Sequence, residues 1–191
     1  MSVPRPLAVA VGMVLTSCSS GARLSPAHAA ALADSVRTFV AAIEHGVNHN
    51  GPAAWRRVFA DSAPFFMASE GKLVFANSDA AKRGIDDLVA SIKRIELKWG
   101  DSVLIDPLAP GLAAMGAPYH EVRVDTAGVR TEETGYFTGL AEHHASGWRL
   151  RDAHWSVMGP KPTAQCRDGT YSYSETRSGT CSSHGGVARW L

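Results

Sequence analysis

The run IELKWGDSVLIDPLAPGLAAMGAPYHEVRVDTAGVRTEETGYFTGLAEHHASGWRLRDAHWSV, residues 95–157, decides the fold. Its apolar residues abandon the helical period and fall into four extended stretches, about Ile95 to Ile105, Leu112 to Val124, Val129 to His143 and Trp148 to Val157. Between them stand Asp106-Pro107 through Gly111, Asp125 through Gly128, and Ala145-Ser146-Gly147. These are turn-forming residue types, which supply positive φ, a preset proline φ or a side-chain turn. Long strands joined by such short loops pair with their neighbours in sequence, so an antiparallel sheet is expected here.

Upstream of this run the pattern is helical. Ser25-Pro26 reads as an N-cap followed by proline at the first helical position, where the missing N–H costs nothing. Leu32, Val36, Phe39, Val40 and Ile43 then form one apolar stripe, which predicts a first helix ending before Gly46. A second, shorter helix is expected from Pro52 with Trp55, Val58 and Phe59 facing inward. Phe65 to Ala76 reads as a hairpin turning at Glu70-Gly71. Ser78 reads as the cap of a third helix carrying Ile85, Leu88, Val89 and Ile92 on one face.

The first residues, Met1 to Pro6, hold one cation and no acid, and the apolar run Leu7 to Leu15 follows. That run is too short to cross about 30 Å of hydrocarbon but has the length of a signal-peptide core. Leu15-Thr16-Ser17-Cys18 resembles the bacterial lipobox, which implies cleavage before Cys18 and acylation of its sulfur. Each buried acyl methylene contributes about 0.8 kcal/mol, so several chains hold a protein firmly on a membrane. The expectation is a leader over 1–17, a tether over 18–25 and a cell-envelope location. Ser19 is similar to an outer-membrane sorting signal.

The chain has 191 residues, a formal net charge of +1 and three cysteines. Its length suits one buried core with tails. Near-neutral charge with interspersed signs gives no basic surface for nucleic acid and reads as solvated surface. No P-loop, dinucleotide fingerprint or nucleophile elbow is present, and no cofactor is expected.

The order helix, helix, short hairpin, helix, four long strands resembles the nuclear transport factor 2-like superfamily. The ending Gly147-Trp148-Arg149-Leu150-Arg151-Asp152-Ala153-His154-Trp155-Ser156 is similar to its SnoaL-like, ketosteroid isomerase-like and calcium/calmodulin kinase association-domain-like branches. The resemblance covers about Ala27 to Met158. It implies an α+β fold over 26–159, with three helices packed on a curved antiparallel or mixed sheet that closes a cone-shaped pocket.

After Gly159-Pro160-Lys161-Pro162 the composition turns to Cys, Gly, Ser and Tyr. Residues 160–191, with Cys166-Arg167-Asp168-Gly169-Thr170-Tyr171-Ser172-Tyr173-Ser174 and Gly179-Thr180-Cys181-Ser182, resemble a short bacterial C-terminal family of unknown function. In an exported protein Cys166 and Cys181 read as a disulfide, because zinc held with His184 lacks a fourth ligand. A loop of about 15 residues constrains the unfolded chain by roughly 3 kcal/mol. His184-Gly185-Gly186 reads as a tight turn.

Strand parity then yields candidate site residues. On the last strand Asp152, His154 and Ser156 share one face, and Ala153, Trp155 and Val157 the other. If the first set is internal, His154 beside Asp152 is a candidate general base or acid, and Tyr136 with Thr138 a candidate donor. A histidine that merely closes the sheet fits the same letters. Tyr119 or His120 faces the cavity, but not both. A metal at His143-His144 and His154 is disfavoured, since adjacent strand residues point apart. Trp55, Trp99, Tyr136, His154 and Ser156 are expected nearest the pocket. Three functions remain open: a lipid-anchored, extracytoplasmic protein binding a small apolar or amphipathic ligand, with a homodimer through the open sheet face; a cofactor-free isomerase, dehydratase or hydrolase with His154 as base and Tyr136 as donor; and an envelope interaction or dimerisation module.

Overall fold

The structure, a computed structural model, describes residues 24–61, 65–159 and 162–191. The leader and Cys18 lie outside the described residues. Helix α1 (Pro26–Asn50) opens where expected, with the Ser25 side chain accepting from the His28 N–H at 3.3 Å. It runs on past Gly46 because the buried stripe continues from Val36, Val40 and Ile43 to Val47. It stops at Gly51, whose φ of 65° leaves the helical region.

The second expected helix is instead a short 3₁₀ segment, Gly51–Arg57, so the domain holds two α-helices among the described residues and not three. The reason lies in the next backbone groups. Leu150 N–H donates to the Val58 carbonyl at 2.7 Å and Ala60 N–H to the Leu150 carbonyl at 2.9 Å, which draws residues 58–60 out along a strand and ends the helical segment at Arg57. Trp55, Val58 and Phe59 are buried as expected.

Strands β1 (Phe66–Ser69) and β2 (Lys72–Phe75) make the expected hairpin, with positive φ at both Glu70 and Gly71. That pair of positive φ values matches the right-handed strand twist. Helix α2 (Ser78–Ser91) is capped by Asn77, one residue earlier than expected, through its side chain and the Ala80 N–H at 2.9 Å. Ser78 is the first helical residue, and Val89 is exposed rather than inward.

The expected strand from Ile95 to Ile105 is two strands, β3 (Ile92–Trp99) and β4 (Leu104–Ala109). Both pair antiparallel with one long strand, β5 (Leu112–Asp125), β4 on its first half and β3 on its second. At the junction the Gly100 N–H donates to the Pro118 carbonyl, and a Cβ on Gly100 would stand 3.0 Å from the proline Cβ. Asp106 and Pro107 lie within β4, not in a turn. β4 is bonded on one side only, where a proline is tolerated.

Strands β6 (Arg130–His144) and β7 (Gly147–Val157) complete a seven-stranded sheet ordered β2-β1-β7-β6-β5-β3, with β4 also on β5. All pairs are antiparallel except β1 with β7. Helix α1 lies along β3 and satisfies its backbone. Asn48 accepts from the Leu97 N–H at 2.7 Å and donates to the Leu97 carbonyl at 2.9 Å, while Glu44 accepts from the Trp99 N–H at 2.9 Å. Polar side chains thus occupy groups that an edge strand would otherwise present for unwanted pairing. Among the described residues no helix is long and apolar enough to cross a membrane.

The tail forms a separate small sheet, β10 (Val187–Trp190), β8 (Ala164–Cys166) and β9 (Tyr171–Ser172), with β8 in the middle. Cys166 and Cys181 are joined in a disulfide, their Cα atoms 5.4 Å apart. Its apolar interior is little more than Ala164, the disulfide and Val187.

One glycine is demanded by packing. A Cβ on Gly135 of β6 would lie 1.9 Å from the Ser156 carbonyl oxygen and 2.7 Å from the Tyr119 ring. The obstruction is backbone, so rotamer change does not relieve it. Gly135→Ala is expected to cost roughly 3 kcal/mol, read as a lower midpoint in urea unfolding with the slope unchanged. An unaltered midpoint would contradict this packing.

Candidate functional site

On β7 the alternation runs opposite to the parity chosen for the site. Ala153 is buried at 1% exposure and Trp155 points into the domain, whereas His154 is exposed on the other face. Trp155 meets Trp55 edge-on at 5.8 Å, stacks on Trp99 at 5.8 Å, and lies 4.8 Å from Tyr119 and 4.7 Å from Phe137, ring centre to ring centre. Such pairs contribute about 0.5–1.5 kcal/mol each beyond area burial.

Beside this cluster, between α2, the 3₁₀ segment and the inner sheet face, lies a cavity of about 410 Å³. Its walls are largely apolar: Trp55, Phe59, Met67, Phe75, Leu88, Ile95 and Trp155. Its polar side chains are those of Ser69, Asp87, Ser91, Glu121, Arg123 and Glu133.

Tyr119, Glu121 and Arg123 alternate along β5 and so share its inner face, and Glu133 on β6 stands directly opposite Glu121. Arg123 bridges the two carboxylates, Nε to Glu121 at 3.2 Å and Nη2 to Glu133 at 2.7 Å. Glu121 is only 8% exposed. Burial, reinforced by the Glu133 charge and opposed by Arg123, pushes its carboxyl from 4.5 up to about 7. The Tyr119 phenol is also pushed up, first by burial and then by the charges of Glu133 and Glu121. Its buried hydroxyl has no hydrogen-bond partner among the described residues. Of the pair left open by parity, Tyr119 faces in, while His120 faces out to Glu132 at 2.7 Å.

The five residues expected at the pocket therefore divide between two faces. Trp55 lines the cavity and Trp99 packs behind it on Trp155, its indole N–H donating to the Val40 carbonyl. Tyr136, His154 and Ser156 stand on the outer face, where register pairs Tyr136 with Ser156 and Thr138 with His154. There Tyr136, Thr138 and Asp152 line a shallow groove with Leu104 and Leu140, and the Ser156 hydroxyl donates to the Tyr136 carbonyl at 3.0 Å. Asp152 accepts from the Leu140 N–H, and burial raises its carboxyl. His143 packs edge-on against Trp148, and among the described residues no three potential metal ligands converge. In the tail, His184 Nδ1 pairs with Asp168 at 2.7 Å.

These inward-facing charges are not legible in the sequence as such, because charged residues within a strand read as solvated surface. The available signal was the Tyr119, Glu121, Arg123 alternation together with Glu133 across a short turn.

Solved structures share this architecture. A nuclear transport factor 2-like superfamily protein from Salmonella enterica is 15% identical, with a TM-score of 0.51, covering 68% of this chain and 90% of its own. The fold is the nuclear transport factor 2-like fold. A candidate scytalone dehydratase from Novosphingobium aromaticivorans is 9% identical, with a TM-score of 0.56, and the match covers 84% of this chain and 95% of that one. A type 2 hexachlorocyclohexane dehydrochlorinase is 8% identical at a TM-score of 0.55, covering 68% and 87%. At these identities the likeness establishes fold alone. Residues 159–191 match a family described as a domain of unknown function, DUF3761. No curated protein matches the chain.

The raised Glu121 carboxyl carries a stability signature with a definite sign. Between 4.5 and about 7 the folded state holds a proton that the unfolded state releases, so this group's contribution to stability falls as pH rises through that window. Glu121→Gln removes the term. The unfolding free energy of the variant minus that of the wild type should therefore grow more positive from pH 4.5 to pH 7, measured by denaturant titration. A difference that is flat with pH would place Glu121 in solvent.

Proposed function

We propose that this chain binds a small apolar or amphipathic ligand in the inner cavity, and that it does so outside the cytoplasm, held to a membrane by lipid on Cys18. The observation that carries this reading is the pairing of an aromatic-walled hollow with a cross-bridged set of charges at its side, in which Glu121 is buried. A core shaped for stability alone closes such a space and keeps carboxylates out of it. Apolar walls supply affinity at about 25 cal/mol per Å² buried, and a few fixed polar groups orient what enters. The anchor rests on the leader and Leu15-Thr16-Ser17-Cys18.

A second reading, a cofactor-free isomerase, dehydratase or hydrolase, is favoured by one observation. Glu121 holds its carboxyl near 7 inside an apolar site, where it can take and return a proton at neutral pH. The base in that reading passes from His154 to Glu121, since His154 stands on the far face. Two of the structural neighbours carry the names of enzymes, a dehydratase and a dehydrochlorinase. The outer groove, with exposed Leu104 and Tyr136, supports a homodimer through the sheet.

Native mass spectrometry of residues 19–191, produced in an oxidising compartment, is expected to show one retained small molecule per chain that is absent under denaturing conditions. Trp155→Ala should abolish retention. A bare wild-type chain that also fails to take up added aromatic ligands would end the pocket reading. For the anchor, Cys18→Ser is expected to abolish fatty-acid labelling and release the protein into the soluble extract; continued labelling would sink it.

A further inference from the structure

The cavity's charges do not balance. Three carboxyl groups, the exposed Asp87, the half-buried Glu133 and the buried Glu121, which holds its proton up to about pH 7, line it against one guanidinium, Arg123. That guanidinium is already engaged by Glu121 and Glu133, so it offers an incoming anion little. An anionic ligand would meet uncompensated negative charge in a partly buried site, where Coulomb terms are much stronger than in water.

The remaining wall is aromatic. Trp55 and Trp155 meet edge to face, and Phe59 stacks on Trp55 at 5.3 Å. Ring faces attract cations, tryptophan most strongly, and the attraction grows when water is excluded. We infer that the ligand of this cavity is a small lipophilic amine in its ammonium form, with its apolar body among Trp55, Phe59 and Trp155 and its N–H groups donating to the Glu121 carboxylate. This rests on the pocket reading above and names the ligand class for that same site.

The inference carries a linked pH dependence. The charged groups that act on Glu121 are Arg123 on β5 and Glu133 on β6; Asp87 from α2 lines the same cavity, Tyr119 shares the inner face of β5, and β3 presents apolar Leu97 and Ile95 opposite Glu121 and Arg123. With Glu121 titrating at about 7, a bound ammonium keeps it ionised. Amine affinity therefore falls as pH drops below 7, whereas a neutral ligand is indifferent.

The test uses the full chain and three probes of one shape, phenylbutylamine, phenylbutanol and phenylbutyrate, titrated by calorimetry and by quenching of tryptophan fluorescence at pH 7 and again at pH 5. The amine is expected to bind at least about tenfold tighter than the alcohol, and the acid more weakly than either. The amine's advantage should shrink severalfold at pH 5, and it should shrink at neutral pH in Glu121→Gln or, should that variant not fold, in Glu133→Gln. Equal or tighter binding of the alcohol overturns the amine assignment and leaves the pocket reading standing. Preference for the acid overturns it too. Failure of all three probes to bind removes both readings together.

Discussion

Trp155 holds the domain together. Its ring contacts side chains from β3, β5, β6 and the 3₁₀ segment, namely Trp99, Tyr119, Phe137 and Trp55, so the curved sheet and the short helical segment share one aromatic centre. Because strand residues alternate, the inward direction of this one ring sends Asp152, His154 and Ser156 outward. It also sets which of Tyr119 and His120 faces in, through the register of β5, β6 and β7.

Around that centre the polar backbone is satisfied by specific side chains. Asn48 and Glu44 on α1 take up the outward groups of Leu97 and Trp99, which ties the helix to the sheet at a fixed height. A buried peptide group without a partner costs about as much as a lost hydrogen bond. The same economy does not extend to the cavity. The Glu121 carboxyl at its wall is raised to about 7, and on the same inner face of β5 the Tyr119 hydroxyl has no partner among the described residues, although apolar groups in their place would suit stability better. Departures of this kind concentrate at functional sites.

Much of the architecture was legible in the letters. The stripe from Leu32 to Ile43, the Glu70-Gly71 turn, and the alternating runs bounded by glycine and aspartate carry their periods openly, and element order pointed to the fold. The errors share one cause. Residues 52–59 have a helical apolar pattern, yet Val58 and Ala60 give their backbone groups to Leu150, some ninety residues away in sequence. Residues 95–105 look continuous, yet β5 accepts two partners in tandem and Pro118 marks where one yields to the other.

What the sequence determined by itself is periodic and local: the stripe of α1, the hairpin turn at Glu70-Gly71, the long runs of β5, β6 and β7, and the close pair of cysteines in a tail poor in apolar residues. What only the tertiary structure decided is which side of the sheet is inside. Alternation divides a strand into two sets but carries no sign, and both sets on β7 contain a residue able to sit in a core. The sign comes from what packs against the sheet. Here that is Trp55 and α2, which cover Trp155, Glu121 and Glu133 and leave His154 to solvent.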